Sequence, residues 1–137
     1  MEIKPQNKFR LLSEYKKHLP NITDDTIFAY CDIIYSNNPL PADLIIHEQQ
    51  HFKQQKEYGL QTWVKRYLNE KDFRLEMERQ AYLVQLSSIS EKGLRDAIRK
   101  DCITALSSGL YGKITREKVE ELLKEPTPVD LLINKVV

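Results

Sequence analysis

Apolar side chains recur at Phe9, Leu11, Leu12 and Tyr15, a helical spacing that predicts a packing helix over residues 8–18, ended by Pro20 and Asn21. Residues 26–35 (TIFAYCDIIY) are rich in β-branched and aromatic residues between Asp24-Asp25 and Ser36-Asn37-Asn38-Pro39, and are expected to form a strand. A helix is expected from near Asp43, whose carboxylate suits a helix N-terminus, to a stop at Gly59. Trp63, Val64, Tyr67 and Leu68 place a shorter helix over 61–68. A break at 69–71 leaves Asp72 as the expected N-cap of a long helix through Phe73, Leu75, Met77, Ala81, Tyr82, Val84 and Leu86 to about Ser88. Ser90-Glu91 can open another, carrying Leu94, Ala97, Ile98, Ile103 and Leu106. The Gly109 and Gly112 region breaks it before Thr115 caps a last short helix through Val119, Leu122 and Leu123. Pro126 and Pro128 end regular structure, and the apolar residues 129–137 read as a docked tail or a late strand. The pattern as a whole predicts a mainly helical α+β fold.

Length narrows this to one domain, because 137 residues can bury one core and divide poorly into two. The 21 basic and 20 acidic residues nearly cancel, so charge gives no reason to expect nucleic acid or an anionic membrane as partner. The basic spot Lys16-Lys17-His18 reads as a solvated helix face. No stretch approaches the roughly 20 apolar residues that span a bilayer, and the beginning MEIKPQNKFRLL lacks the apolar core of a signal peptide. Cys31 and Cys102 form no disulfide framework and are expected as two reduced core thiols, which fits a cytoplasmic protein.

The candidate chemistry lies in the helix that begins near Asp43, as His47-Glu48-Gln49-Gln50-His51. Residues four apart stand one above the other on a helix, so both imidazoles can reach one ion from a rigid backbone. Neutral imidazole suits Zn²⁺, and a catalytic zinc site uses three protein ligands with one position left open. Glu48, beside the first ligand, is placed to take a proton from water that the ion has acidified, which makes it the expected general base. Only 3 histidines occur in the chain, and two of them stand at ligand spacing around a glutamate. Leu44, Ile45 and Ile46 start that segment from a buried end, which argues against an exposed polar face.

A third ligand is required, and the remaining histidine, His18, has no pattern around it. Glu76 and Glu78 are two apart on one helix and face different sides, so at most one points to the metal. Glu78 is preferred because Ala81 would allow close approach to the motif helix and Tyr82 lies on the same face one turn later. Tyr82 is the second catalytic candidate, able to hydrogen-bond a ligand or donate to an oxyanion, beside the plainer role of a buried core tyrosine. Arg74 could brace Glu78; a surface ion pair with Glu78 or Glu70 is the plainer expectation.

His47-Glu48-x-x-His51 followed by Glu78-x-x-Ala81-Tyr82 resembles the zincin metallopeptidases, specifically the glutamate-liganded gluzincins, and small bacterial or phage-encoded chains of that type. The resemblance covers about residues 26–86, leaving 90–125 as C-terminal helices and 126–137 as a tail. It implies a minimal zincin-like domain with His47, His51 and Glu78 as zinc ligands and Glu48 as base. It also implies a peptide or protein substrate aligned along a strand beside the motif helix, for which 26–35 is the candidate. Many gluzincins carry an aspartate four residues after the ligand glutamate, where this chain has Tyr82. The alternative is an inactive zincin scaffold serving as a structural or interaction protein in a larger assembly, such as a viral particle. Substrate, oligomeric state, and zinc against manganese, cobalt or nickel are left open by the residues.

Overall fold

The computed structural model describes residues 1–124, and the expected tail at 126–137 lies outside the described residues. The chain runs β1 (Glu2–Lys4), a 3₁₀ turn (Gln6–Lys8), α1 (Leu12–His18), β2 (Phe28–Tyr30), β3 (Ile33–Tyr35), α2 (Ala42–Tyr58), α3 (Leu60–Asn69), α4 (Lys71–Ser87), α5 (Lys92–Leu106) and α6 (Arg116–Leu122). This is a mainly helical α+β fold with one small sheet, as the periodicities predict.

The expected strand over 26–35 is a hairpin. Cys31 and Asp32 both take positive φ, 52° and 65°, and fold β2 back antiparallel onto β3 with Tyr30 opposite Ile33. Positive φ at both central residues is the geometry of the tight turn whose twist matches paired strands. Asp tolerates it, but Cys-Asp lacks the glycine that usually advertises such a turn. β1, too short to read from its pattern, pairs parallel to β3 in register Glu2 with Ile33, so the sheet order is β1-β3-β2 and β2 is an edge. The expected helix over 8–18 is split: a 3₁₀ turn ends at Lys8 and α1 starts at Leu12, with Phe9 turned into the core.

α2 stops at Gly59, where φ is 85° and ψ 134°, and α3 begins at the next residue. A Cβ at Gly59 would meet nothing within 4 Å, so backbone conformation rather than space calls for glycine there. The break between α3 and α4 is the single residue Glu70. Asp72 is therefore not the N-cap; it sits in the first turn of α4, where its charge still favours the helix dipole. Glu91 caps α5 through Gly93 and Leu94 amides at 2.7 and 2.6 Å, and Thr115 caps α6 through the Lys118 amide at 3.2 Å.

Three apolar clusters hold these elements. Phe9, Tyr15, Phe28, Tyr35, Trp63 and Tyr67 belong to an aromatic core between the sheet and α3. Leu86, Cys102, Leu106, Val119 and Leu123 lock α4, α5 and α6 together, while Ala29, Ile34 and Phe52 seat the sheet on α2. Each fully buried large side chain contributes roughly 1.5–3 kcal/mol. α2 and α4 form the most extensive helix pair, and Ala81 on α4 is fully buried. Of the two cysteines only Cys102 is a core thiol: Cys31, at the tip of the hairpin, is exposed. No helix among the described residues is long and apolar enough to cross a membrane.

Candidate metal centre

α2 has an unusual buried face. His47, Glu48, His51, Gln54 and Gln55 are all buried on it, a polar stripe where an ordinary packed helix carries leucines. Buried polar groups must find partners, and the partners define the site. Across the helix pair, Glu78 of α4 points between the two imidazoles: its Oε1 lies 3.1 Å from His47 Nε2 and its Oε2 3.1 Å from His51 Nε2. Ligand atoms of His47, His51 and Glu78 all fall within 4.8 Å of one another. Zinc bonds of about 2.0–2.2 Å give a tetrahedron with edges of roughly 3.4 Å, so the donor set fits that ion with small adjustment. Glu76 faces solvent and pairs with Arg79 at 2.9 Å, and His18 bonds back to its own helix at the Glu14 carbonyl.

The hydrogen bonds behind the imidazoles fix which nitrogen is free. Gln54 donates through Nε2 to the Met77 carbonyl at 3.0 Å, so its Oε1 accepts from His51 Nδ1–H at 2.9 Å. Gln85 donates to Asp43 at 2.7 Å, so its Oε1 accepts from His47 Nδ1–H at 3.0 Å. Both Nδ1 atoms are thus held protonated, and both Nε2 atoms turn toward Glu78, the arrangement that outer partners impose on ligand histidines. Tyr67 donates to Glu78 Oε2 at 2.6 Å and fixes the carboxylate. Replacing Gln54 or Gln85 by leucine is expected to weaken zinc affinity about 10- to 100-fold while the fold persists; competition against a chromogenic chelator measures it, and unchanged affinity would remove these glutamines from the centre.

Electrostatics agree with this geometry. Burial pushes Glu78 up, but His51 and His47 outweigh it and hold the carboxyl far below its ordinary range. Burial pushes His51 down, but the charge and hydrogen bond of Glu78, with help from Glu48 and Gln54, lift it to about 9. Without metal the His51 ring therefore keeps a second proton near neutral pH, on the nitrogen that would face an ion. An ion such as zinc taken up there would have to expel that proton, so its affinity is expected to fall roughly tenfold per unit as pH drops below about 9, with about one proton released per ion bound. Calorimetry in buffers of different ionisation enthalpy counts that proton; affinity flat across this range would contradict the assignment.

Glu48 stands apart from the ligand set. Its Oε2 is 3.7 Å from His47 Nε2, and it makes no hydrogen bond to a described residue. Burial raises its pKa, the two histidines oppose the rise, and Glu78 adds to it. Tyr82 packs its ring edge against His47 at 4.4 Å between centroids, and its hydroxyl meets that of Tyr111 at 3.1 Å. Burial and Glu78 raise both phenols well above their usual range, so they are neutral donors. Arg74 does not brace Glu78, nor does it form a surface ion pair. It is buried, and it binds the Tyr67 carbonyl at 2.5 Å and the Tyr111 carbonyl at 2.7 Å, clipping the end of α3 to the 107–115 loop that supplies Tyr111.

The centre opens on a cleft of about 570 Å³ whose walls include His47, Glu48, His51, Glu78, Tyr82 and Tyr111. β2 borders it through Phe28 and Ala29, preceded by Ile27. On the edge of β2 away from β3, Gln55 donates to the Ala29 carbonyl at 2.8 Å and accepts from the Cys31 amide at 3.2 Å. Two buried donors, the Tyr15 hydroxyl and the Trp63 indole N–H, have no partner among the described residues. Sequence reasoning missed Gln54, Gln85, Tyr67 and Tyr111. Gln54 stands three residues after His51 and Gln85 seven after Glu78, each on the ligand's own helix face, which is the one signal that could have found them. The chain matches no family model, no curated protein and no solved structure, so the reading of the centre stands on its geometry.

Proposed function

We propose that the protein is a metal-dependent hydrolase that cleaves peptide or related amide bonds, with zinc held by His47, His51 and Glu78. The observation that carries this reading is the meeting of that ligand set with a buried Glu48, which makes no hydrogen bond to a described residue, on the wall of an open cleft. When bound, zinc supplies Lewis acidity, acidifying water and polarising a carbonyl oxygen. Gln54, Gln85 and Tyr67 keep the ligand atoms oriented toward the ion. Glu48 accepts the proton of the attacking water at its carboxylate and passes it to the leaving amine; its raised pKa brings it nearer the operating pH, where proton transfer in both directions is efficient. In the Tyr82–Tyr111 pair one hydroxyl donates to the other, which leaves one O–H to donate to the substrate oxygen as negative charge builds there. Phe28 and Ala29 of β2, with Ile27 just before them, line the cleft where an extended peptide would be aligned.

A scaffold that used zinc only to hold itself together would call for a closed site with four protein ligands, and the three-ligand set beside a cleft favours the hydrolase over that alternative. The test is a screen of quenched fluorescent peptides with the zinc-loaded protein. The expected result is turnover that a chelator abolishes and added zinc restores. Zinc-loaded protein that turns over no peptide or amide would move the reading to the scaffold.

A further inference from the structure

The two buried polar atoms left without a partner among the described residues, the Tyr15 hydroxyl and the Trp63 indole N–H, belong to side chains that line the same cleft. Elsewhere the interior matches its polar groups: Gln6, Gln54, Gln55, Arg74 and Gln85 each donate to an acceptor on another part of the chain. Packing asks for neither unmatched atom. Tyr15 meets Phe9 at 5.0 Å and Phe28 at 5.5 Å between centroids, a setting that phenylalanine would fill as well. Trp63 stacks on Tyr67 at 4.6 Å and meets His51 edge-on at 5.6 Å. Two donors without acceptors on the walls of one cleft call for an acceptor from outside the chain.

These rings adjoin the metal centre, because Tyr15 also stacks on Tyr67, at 6.2 Å, and Tyr67 donates to Glu78. Leu19 and Phe28, of the same aromatic core, line the cleft with them. Burial, Tyr30 and Glu78 raise the Tyr15 phenol above its usual range, so its O–H is a neutral donor; the indole N–H can only donate. Among the described residues no lysine or arginine lines the cleft, while Asp25 does, so a carboxylate is turned away and an uncharged oxygen is accepted. Tyr15 is 4% and Trp63 2% exposed, and an acceptor must therefore project from its own chain to reach them, as a side chain does and a backbone carbonyl lying along the wall does not. Resting on the reading of this cleft as the substrate site, we propose that its aromatic end is a specificity pocket for a side-chain carboxamide, a glutamine of the substrate, whose carbonyl oxygen accepts at these donors while its methylenes lie against the rings. A site built to hydrogen-bond a substrate group discriminates against the analogue that lacks it, because its own polar atoms then stay unpaired.

The test uses binding, so that it does not depend on turnover. Zinc-loaded Glu48→Gln protein is titrated, by fluorescence anisotropy, with labelled alanine peptides that differ in one central residue: glutamine, norleucine of similar length without an acceptor, or glutamate. The glutamine peptide is expected to bind about tenfold more tightly than either of the others, the worth of roughly one hydrogen bond. Adding Tyr15→Phe, which removes a hydroxyl that bonds to nothing in the fold, should lower the glutamine-to-norleucine ratio about tenfold at unchanged zinc content and melting temperature. Trp63→Phe removes the other donor and should move the ratio the same way. Equal binding of glutamine and norleucine peptides, tightest binding of the glutamate peptide, binding of none, or a ratio indifferent to both substitutions would overturn the proposal. Selective binding of a glutamine peptide that wild type never cuts would sink the hydrolase and leave the pocket standing; peptides cut by wild type with no such preference would do the reverse.

Discussion

Glu48→Gln is expected to lower peptide turnover roughly 10²- to 10⁴-fold, the range that a positioned general base supplies, while zinc content stays at the wild-type level. The substitution is nearly isosteric and removes a carboxylate that makes no hydrogen bond to a described residue, so the 3.7 Å approach to His47 is the contact it changes. It also removes a charge whose burial is unfavourable, and stability should hold or rise slightly. The loss should appear in kcat rather than KM, because Glu48 handles a proton and the cleft walls hold the substrate. Steady-state kinetics beside metal analysis on the same preparation separates the cases: turnover lost together with zinc would make Glu48 a ligand, and turnover retained would remove it from the chemistry.

Zinc itself is expected to raise the melting temperature by roughly 10 °C when present at about 100 times its dissociation constant. Ligand binding to the folded state alone contributes about 2.7 kcal/mol at that excess, and a domain of this size gains a few degrees per kcal/mol. The metal-free fold starts at a disadvantage, since it buries His47, His51 and Glu78 in mutual contact with one proton standing where an ion would satisfy both Nε2 atoms and the carboxylate. Differential scanning fluorimetry with zinc, magnesium and chelator measures the shift. Magnesium, which keeps its water and prefers oxygen ligands, should give little. Equal melting temperatures with and without zinc would mean that the centre does not take the ion.

How much of this was legible in the sequence follows from the range of the forces involved. Local devices could be read directly: the glycine stop at Gly59, the Thr115 cap and the periodicity of α4 each act within a few residues. The hairpin at Cys31-Asp32 could not, because two ordinary residues are driven to positive φ by the pairing of the strands around them. β1 exists only because β3 offers it an edge. At the centre, the i, i+4 spacing marked His47 and His51, and a helix-face argument separated Glu78 from Glu76. Leu44, Ile45 and Ile46 argued against a solvated face for the polar run from His47 to Gln55, but its partners were not legible, because α4 and β2 supply Glu78, Gln85, the Met77 carbonyl and the Ala29 carbonyl from distant parts of the chain. Arg74 was misjudged for the same reason, since its acceptors are backbone carbonyls of α3 and of a distant loop, which no side-chain pattern announces.

The central claim, that His47, His51 and Glu78 hold a metal ion, is tested most directly by elemental mass spectrometry of the purified protein and of His51→Ala, Glu78→Ala and Glu76→Ala. About one zinc per chain is predicted for wild type and for Glu76→Ala, whose carboxylate faces solvent, with loss in the other two. Wild-type protein that holds no stoichiometric metal even after refolding with zinc, or zinc retained when Glu78 is gone, would contradict it.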